Sequence, residues 1–207
     1  MILSSALYGD HYPFKEMGLF DDYNVVIDPE DLKENSCLVV WGGGDISPTL
    51  YDRPVGNRTW ASEKLSDRDT HEWNLMSRAY EMGLPIIGIC RGAQMLCALA
   101  GGFLIQDVTD HGQAHKVETK EGLKFKVSSL HHQMLYPFEV DHEMVAWSKT
   151  NLSQHYLDVN TPINMPREPE FVYFPKQRGI AIQWHPEYME VGCAANQYVQ
   201  QKVKEYL

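Results

Sequence analysis

Three short apolar runs open the chain: Ile2–Leu7, Val25–Ile27 and Leu38–Trp41. Each is brief, partly β-branched and bounded by polar or turn residues, a pattern that predicts buried strands. The third runs straight into Gly42-Gly43-Gly44. Over residues 66–82 the period lengthens, with Trp73, Met76 and Tyr80 at helical spacing. Ser66 and Asp69 have the spacing of a capping box, and Gly83 followed by Pro85 supplies the stop. Pro85-Ile86-Ile87-Gly88-Ile89 then reads as a strand that meets Cys90. A helix follows to about Ala100, apolar nearly all round and therefore buried. Strand–turn–helix units with short connections predict an α/β fold with a parallel sheet.

After Gly101-Gly102 the pattern changes. Leu123–Val127, Met144–Trp147, Phe171–Phe174 and Gly179–Gln183 read as further strands, added in antiparallel fashion. The polar, proline-bearing segment Asn151–Pro169 reads as loops. The wider stretch 151–175 fits a lid and an ordinary long loop equally well. A closing helix is expected from about Met189 to Tyr206, with Val191, Ala195, Val199 and Val203 on one stripe. No repeat, low-complexity tract or linker interrupts the 207 residues, so one domain over 1–207 is expected.

Composition narrows the function classes. The formal net charge is −10, from 18 basic and 28 acidic residues. That disfavours nucleic acid or an anionic membrane as partner, because phosphate binding needs a basic face. No apolar run is long enough for a membrane span, and the N-terminus lacks the form of a signal peptide. The cysteines, Cys37, Cys90, Cys97 and Cys193, form no C-x-x-C unit. Reduced thiols in a cytoplasm are therefore expected. His111, His115, His131, His132 and His142 show no H-E-x-x-H pattern, so neither a metal site nor a cofactor is expected.

The strongest chemical signal is Gly88-Ile89-Cys90-Arg91-Gly92, between an apolar strand and a helix. This is the thiol version of the nucleophile elbow. The turn is sharp, and side chains two residues on either side of the nucleophile would collide. It projects Sγ from the carboxyl end of a strand and beside a helix N-terminus, which favours thiolate. A buried structural cysteine is the competing reading. Cys37, Cys97 and Cys193 read as packing residues.

A thiol near neutrality needs a base. His185 falls at the end of the apolar run Ala181-Ile182-Gln183-Trp184, and Glu187 lies two residues on. In an extended segment both side chains face the same side, so the carboxylate can orient the imidazole. Taken alone, His-Pro-Glu fits a surface histidine beside an acid just as well. Gly42-Gly43-Gly44 could let backbone N–H groups approach an oxyanion together with the Arg91 N–H, or form a plain turn. Arg68-Asp69-Glu72 fits a solvated helix cap equally well.

Taken in order, these motifs resemble the class I glutamine amidotransferase-like superfamily. They are most similar to its γ-glutamyl hydrolase branch, which includes γ-glutamyl-γ-aminobutyrate hydrolases. Three further segments carry that likeness: Gly43–Tyr51, Arg68-Asp69-x-x-Glu72, and Ser129-Leu130-His131-His132-Gln133. The resemblance covers about residues 38–187. It implies a flavodoxin-like three-layer sandwich with a mostly parallel central sheet and antiparallel strands added in the C-terminal half. It implies Cys90 as nucleophile, His185 as base, Glu187 as orienter, and oxyanion donors at Gly43, Gly44 and Arg91. It also implies that Gln94, Ser129, His131 and Gln133 line a γ-glutamyl pocket.

Three departures stand out, the first being a short N-terminal portion, Met1 to Trp41, that leaves little room for full-length helices between the first strands. Ser128 replaces the family's usual Asn, and residues 107–126 share only scattered features, which leaves the leaving-group side undefined. The expected substrate is a small γ-glutamyl compound or glutamine, cleaved through a thioester. Two rival readings remain. One is a glutaminase subunit feeding ammonia to a separate synthetase or ligase chain, since no Walker A loop is present. The other is a non-catalytic binding protein. A homodimer, the pathway and the leaving amine are left open.

Overall fold

The computed structural model describes residues 1–6 and 12–207. Along the chain the strands begin with β1 (Ile2–Ala6), β2 (Asp22–Val26), β3 (Ser36–Val40) and β4 (Ile86–Ile89). Next come β5 (Phe103–Ile105), β6 (Asp107–Val108), β7 (His115–Thr119), β8 (Lys124–Val127) and β9 (Met134–Tyr136). The last are β10 (Glu143–Ser148), β11 (Tyr156–Asp158), β12 (Thr161–Pro162), β13 (Pro169–Phe174) and β14 (Gly179–Ile182). The helices are α1 (Asp67–Glu81), α2 (Arg91–Leu99) and α3 (Ala194–Tyr206). Leu7, the end of the first expected strand, lies outside the described residues.

The main sheet has nine strands in the order β2-β1-β3-β4-β14-β13-β10-β7-β8. Pairings from β2 to β14 are parallel, and those from β14 to β8 are antiparallel. Connection length explains the change. β13 reaches β14 through the short turn Pro175–Gln177, with Arg178 at φ 46°, and β7 reaches β8 through a turn holding Gly122 at φ 81°. Connections this short close only antiparallel pairs.

Both faces of the parallel half are buried, which is why its strands read as continuous apolar runs. Leu38, Val40, Ile86 and Ala181 face one core with Leu75, Met76 and Ala79 of α1 and Ala93 and Leu96 of α2. Cys37, Val39, Ile87, Ile89, Ile180 and Ile182 face the other, with Tyr198, Val199 and Val203 of α3. The alternation has period two and gives a helix–sheet–helix sandwich. Each fully buried aliphatic side chain stabilises it by about 1.5–3 kcal/mol. Between β2 and β3 only a single 3-10 turn (Pro29–Asp31) intervenes. From the segment before β2, Phe14, Met17 and Phe20 pack into the core beneath α3.

Three expectations need correction. The closing helix begins at Ala194 rather than near Met189, because Pro186–Tyr188 forms a 3-10 turn first. The buried amide of Asn196 then donates to the carbonyls of Pro186, Met189 and Glu190, holding that loop closed. Segment 151–169 is not all loop: β11 and β12 pair with each other, and β11 also pairs with β6. Finally, β5, β6, β7 and β9 were not foreseen. Three of them span only two or three residues, and β7 alternates Val with charged residues, so the apolar signal is weak.

Candidate active site

The register of two parallel strands assembles the site. Ile182 of β14 pairs with Ile89 of β4, and the Cys90 N–H donates to the Ile182 carbonyl at 2.7 Å. Cys90 leaves β4 and His185 leaves β14 at the same sheet edge. Val40 of β3 pairs with Gly88, so the glycine loop emerges beside them.

Cys90 has φ 47° and ψ −102°, outside the regions that ordinary side chains favour. The glycines that flank it are required by contact. A Cβ on Gly88 would strike the Gly92 carbonyl, and a Cβ on Gly92 would strike the Val40 carbonyl. Arg91 starts α2, so its N–H is among those without an intrahelical acceptor. Burial pushes the Cys37 and Cys97 thiols up, Cys97 to about 12, as expected of packing residues.

His185 is 4 % exposed. Its Nδ1–H donates to Glu187 Oε1 at 2.7 Å, and Tyr188 stacks on the ring with centroids 4.7 Å apart. A Cβ on Gly42 would meet His185 Cε1 at 2.6 Å, so that position must stay bare for the imidazole to approach Cys90. Burial disfavours the imidazolium, but interaction with Cys90 and Glu187 outweighs it and raises His185 to about 10. Nε2 is buried and makes no hydrogen bond of ordinary geometry, although the thiol is near enough to act on its charge. Such contacts often tighten only when substrate is bound. Ser128 holds the backbone in place: its hydroxyl donates to the His185 carbonyl at 2.7 Å and accepts from the His185 N–H at 3.1 Å. The residue that departs from the family pattern thus braces His185.

The Arg68-Asp69-x-x-Glu72 segment both caps α1 and supports the site. Ser66 and Asp69 form a complete capping box. Asp69 also pairs with the buried Arg91 guanidinium at 2.6 Å, and Glu72 pairs with both Arg91 and Arg68. Arg68 then donates to the Gly42 carbonyl at 2.9 Å. One buried ion network therefore joins the elbow to the glycine loop.

A cavity of about 50 Å³ is lined by Cys90, Gly43, Gly44, Gln94, His131 and Gln133, along with Asp45, Trp60, Leu130 and His132. Gln94 Nε2 donates to the Gln133 carbonyl at 3.2 Å. His131 Nδ1 meets the same carbonyl at 2.9 Å. A carbonyl only accepts, so Nδ1 carries the hydrogen and Nε2 is a bare acceptor. Burial holds His131 down to about 3, hence neutral. Ser129 is not among the lining residues; its hydroxyl donates to the His111 carbonyl at 2.6 Å and braces the loop.

His131 rests on a buried cluster that the spacing gave no sign of. His111 contacts Glu168 at 3.2 Å and Glu170 at 3.4 Å, and His115 contacts Glu170 at 2.8 Å. Burial opposes charge on these groups. Mutual pairing outweighs it, raising His111 to about 9 and lowering Glu170 to about 2. His111, His131 and Glu170 present ligand-capable atoms within 4.8 Å of one another. With His111 held between Glu168 and Glu170, the cluster forms an ion-paired floor beneath His131. Its members come from three separate stretches of chain, around residues 111–115, 131 and 168–170, so no local motif could reveal it.

Comparison with known proteins places the chain among relatives of the same fold. The chain is 26% identical over 203 residues to the glutamine amidotransferase-like protein YvdE of Lactococcus lactis subsp. lactis, covering 84% of this chain and 77% of that protein. It is 27% identical over 173 residues to protein NtpR of Enterococcus hirae, covering 72% and 66%. In fold it is similar to PurLQS from Thermotoga maritima (TM-score 0.61, 17% identity, 99% of this chain and 98% of that one). A glutamine amidotransferase from the same organism matches with a TM-score of 0.57 at 15% identity, over 99% and 85%. The model of the Peptidase C26 family matches residues 32–187, a span that holds the cysteine, the histidine and the glutamate, and the chain belongs to that family.

Proposed function

We propose that the protein hydrolyses a γ-glutamyl amide bond through a γ-glutamyl thioester. The observation that carries this reading is the cavity lined by Cys90 and the Gly43–Gly44 loop, with the His185–Glu187 pair at the same sheet edge. Cys90 Sγ attacks the γ-carbonyl, forming the C–S bond. Backbone N–H groups of Gly43, Gly44 and Arg91 receive the oxyanion. The C–N bond breaks as the His185 imidazolium gives its proton to the leaving amine. Water then attacks the thioester, giving its proton to His185, and glutamate leaves with the thiolate restored. Gln94, His131 and Gln133 supply the polar wall that a group bearing both ammonium and carboxylate requires. The γ-glutamyl assignment itself rests on the motif resemblance, and a location in the cytoplasm belongs to the same reading.

A second reading draws on the relative named as glutamine amidotransferase-like. Here the same chemistry releases ammonia from glutamine for a separate synthetase chain. The test is a screen of γ-glutamyl amides and glutamine, read as released glutamate and scored against Cys90→Ala. Turnover of amides by the isolated chain supports the hydrolase. Turnover of glutamine alone, and only with a partner added, supports the second reading.

A further inference from the structure

A second cavity of about 510 Å³ opens beside the one over Cys90 and shares Trp60, Leu130, His131 and His132 with it. Val108, Asp110, His111 and Gly112 complete its walls. That size matches a small-molecule site of about 300–1,000 Å³ and far exceeds what ammonia needs. Its walls are also built. The Asp45 carboxylate accepts from the Trp60 backbone N–H at 2.8 Å and from His132 Nε2 at 2.9 Å. The Trp60 and His132 rings lie against each other with centroids 4.1 Å apart. One buried carboxylate therefore holds a flat aromatic wall, although Trp60 itself is 81% exposed. Leu130 and Val108 supply aliphatic surface.

Charge decides between kinds of amine. Asp110, on the cavity wall, accepts from the neutral Thr109 hydroxyl and Gln154 amide, so its charge is not offset by these donors. His111, the charged imidazole on the wall, is engaged by both Glu168 and Glu170, and Arg58 and His155 engage Asp107. A carboxylate on the leaving group would meet an acidic rim. A flat apolar amine would cover Trp60 and Leu130.

We propose that this cavity is the leaving-amine subsite and takes a flat apolar amine, aromatic in its simplest form and neutral or cationic at its far end. The proposal rests on the γ-glutamyl hydrolase reading above. It adds that ammonia and anionic amino acids are poor leaving groups here.

The full-length chain should be assayed for glutamate release from γ-glutamyl-phenethylamide, γ-glutamyl-γ-aminobutyrate and glutamine. The expected kcat/KM for the phenethylamide exceeds the other two by about tenfold or more, the size of effect that one apolar contact confers. Trp60→Ala, at an exposed position, should cut the phenethylamide-to-glutamine ratio by a similar factor. Asp110→Lys should raise the relative rate on the γ-aminobutyrate derivative. Equal turnover of all three, a preference for glutamine or the anionic amide, or a ratio unmoved by Trp60→Ala would overturn the subsite and leave the hydrolase reading intact. Failure to release glutamate from any of them would instead overturn the hydrolase reading, and the subsite with it.

Discussion

His185 Nδ1 donates to Glu187 Oε1 at 2.7 Å, across a proline that fixes the chain between them. This bond sets the tautomer and helps keep the imidazole charged. Glu187→Gln should lower kcat by about 10²–10⁴-fold, as loss of an orienting carboxylate does elsewhere. Steady-state kinetics on the best γ-glutamyl amide would check this.

The pH profile follows from the same pair. His185 is raised to about 10, so the imidazolium that protonates the leaving amine is present below that value and lost above it. The alkaline limb of kcat/KM should fall as pH approaches 10, and Glu187→Gln should move that limb to lower pH. An unmoved limb would show that His185 is not the acid.

Cys90 sits at φ 47°, a conformation that costs a side-chain-bearing residue about 1–3 kcal/mol. Cys90→Gly should therefore be more stable than Cys90→Ala by about 1 kcal/mol, reversing the usual order. Urea unfolding of the two inactive variants would measure the difference.

Glu72 bridges Arg68 and Arg91 while almost wholly buried. Glu72→Gln should destabilise by about 3–5 kcal/mol, because two guanidinium groups lose their shared charge. It should also lower kcat/KM, since Arg68 positions the Gly42 carbonyl. Full activity at unchanged KM in a destabilised variant would separate the network from the glycine loop.

The histidine–glutamate floor predicts a stability optimum in pH. Glu170 is lowered to about 2, so its contribution is present above the ordinary carboxylate range and is lost as pH falls toward 2. His111 is raised to about 9, so its contribution is full below the ordinary histidine range and is lost as pH rises through 9. Together they favour a window of about pH 4.5–6.5. Thermal unfolding across pH should show it, and Glu170→Gln should flatten the acid side.

Much of this site was legible along the chain because its chemistry is local. Gly88 and Gly92 flank Cys90 for a steric reason that acts within five residues, and the strand and helix around them follow from apolar period alone. Glu187 reaches His185 because both lie on one short segment. By contrast, Ser128 looked like a departure, yet it is the clamp on the His185 backbone from 57 positions away. Ser129 looked like a pocket residue, yet it bonds the His111 carbonyl.

The sequence by itself determined the elements of the α/β half and the glycine-flanked turn at Cys90, because turn sterics and hydrophobic period act between near neighbours; it singled out His185 and Glu187 only through the order of the motifs. Only the tertiary structure decided that β14 lies parallel beside β4, which brings Cys90 and His185 to one edge across some ninety residues of chain. It also decided that His111, His115, His131, Glu168 and Glu170 converge in one floor, and that Trp60 meets His132 over a second cavity. Those contacts depend on strand order and on burial shared between distant segments, neither of which has a period that a sequence can display.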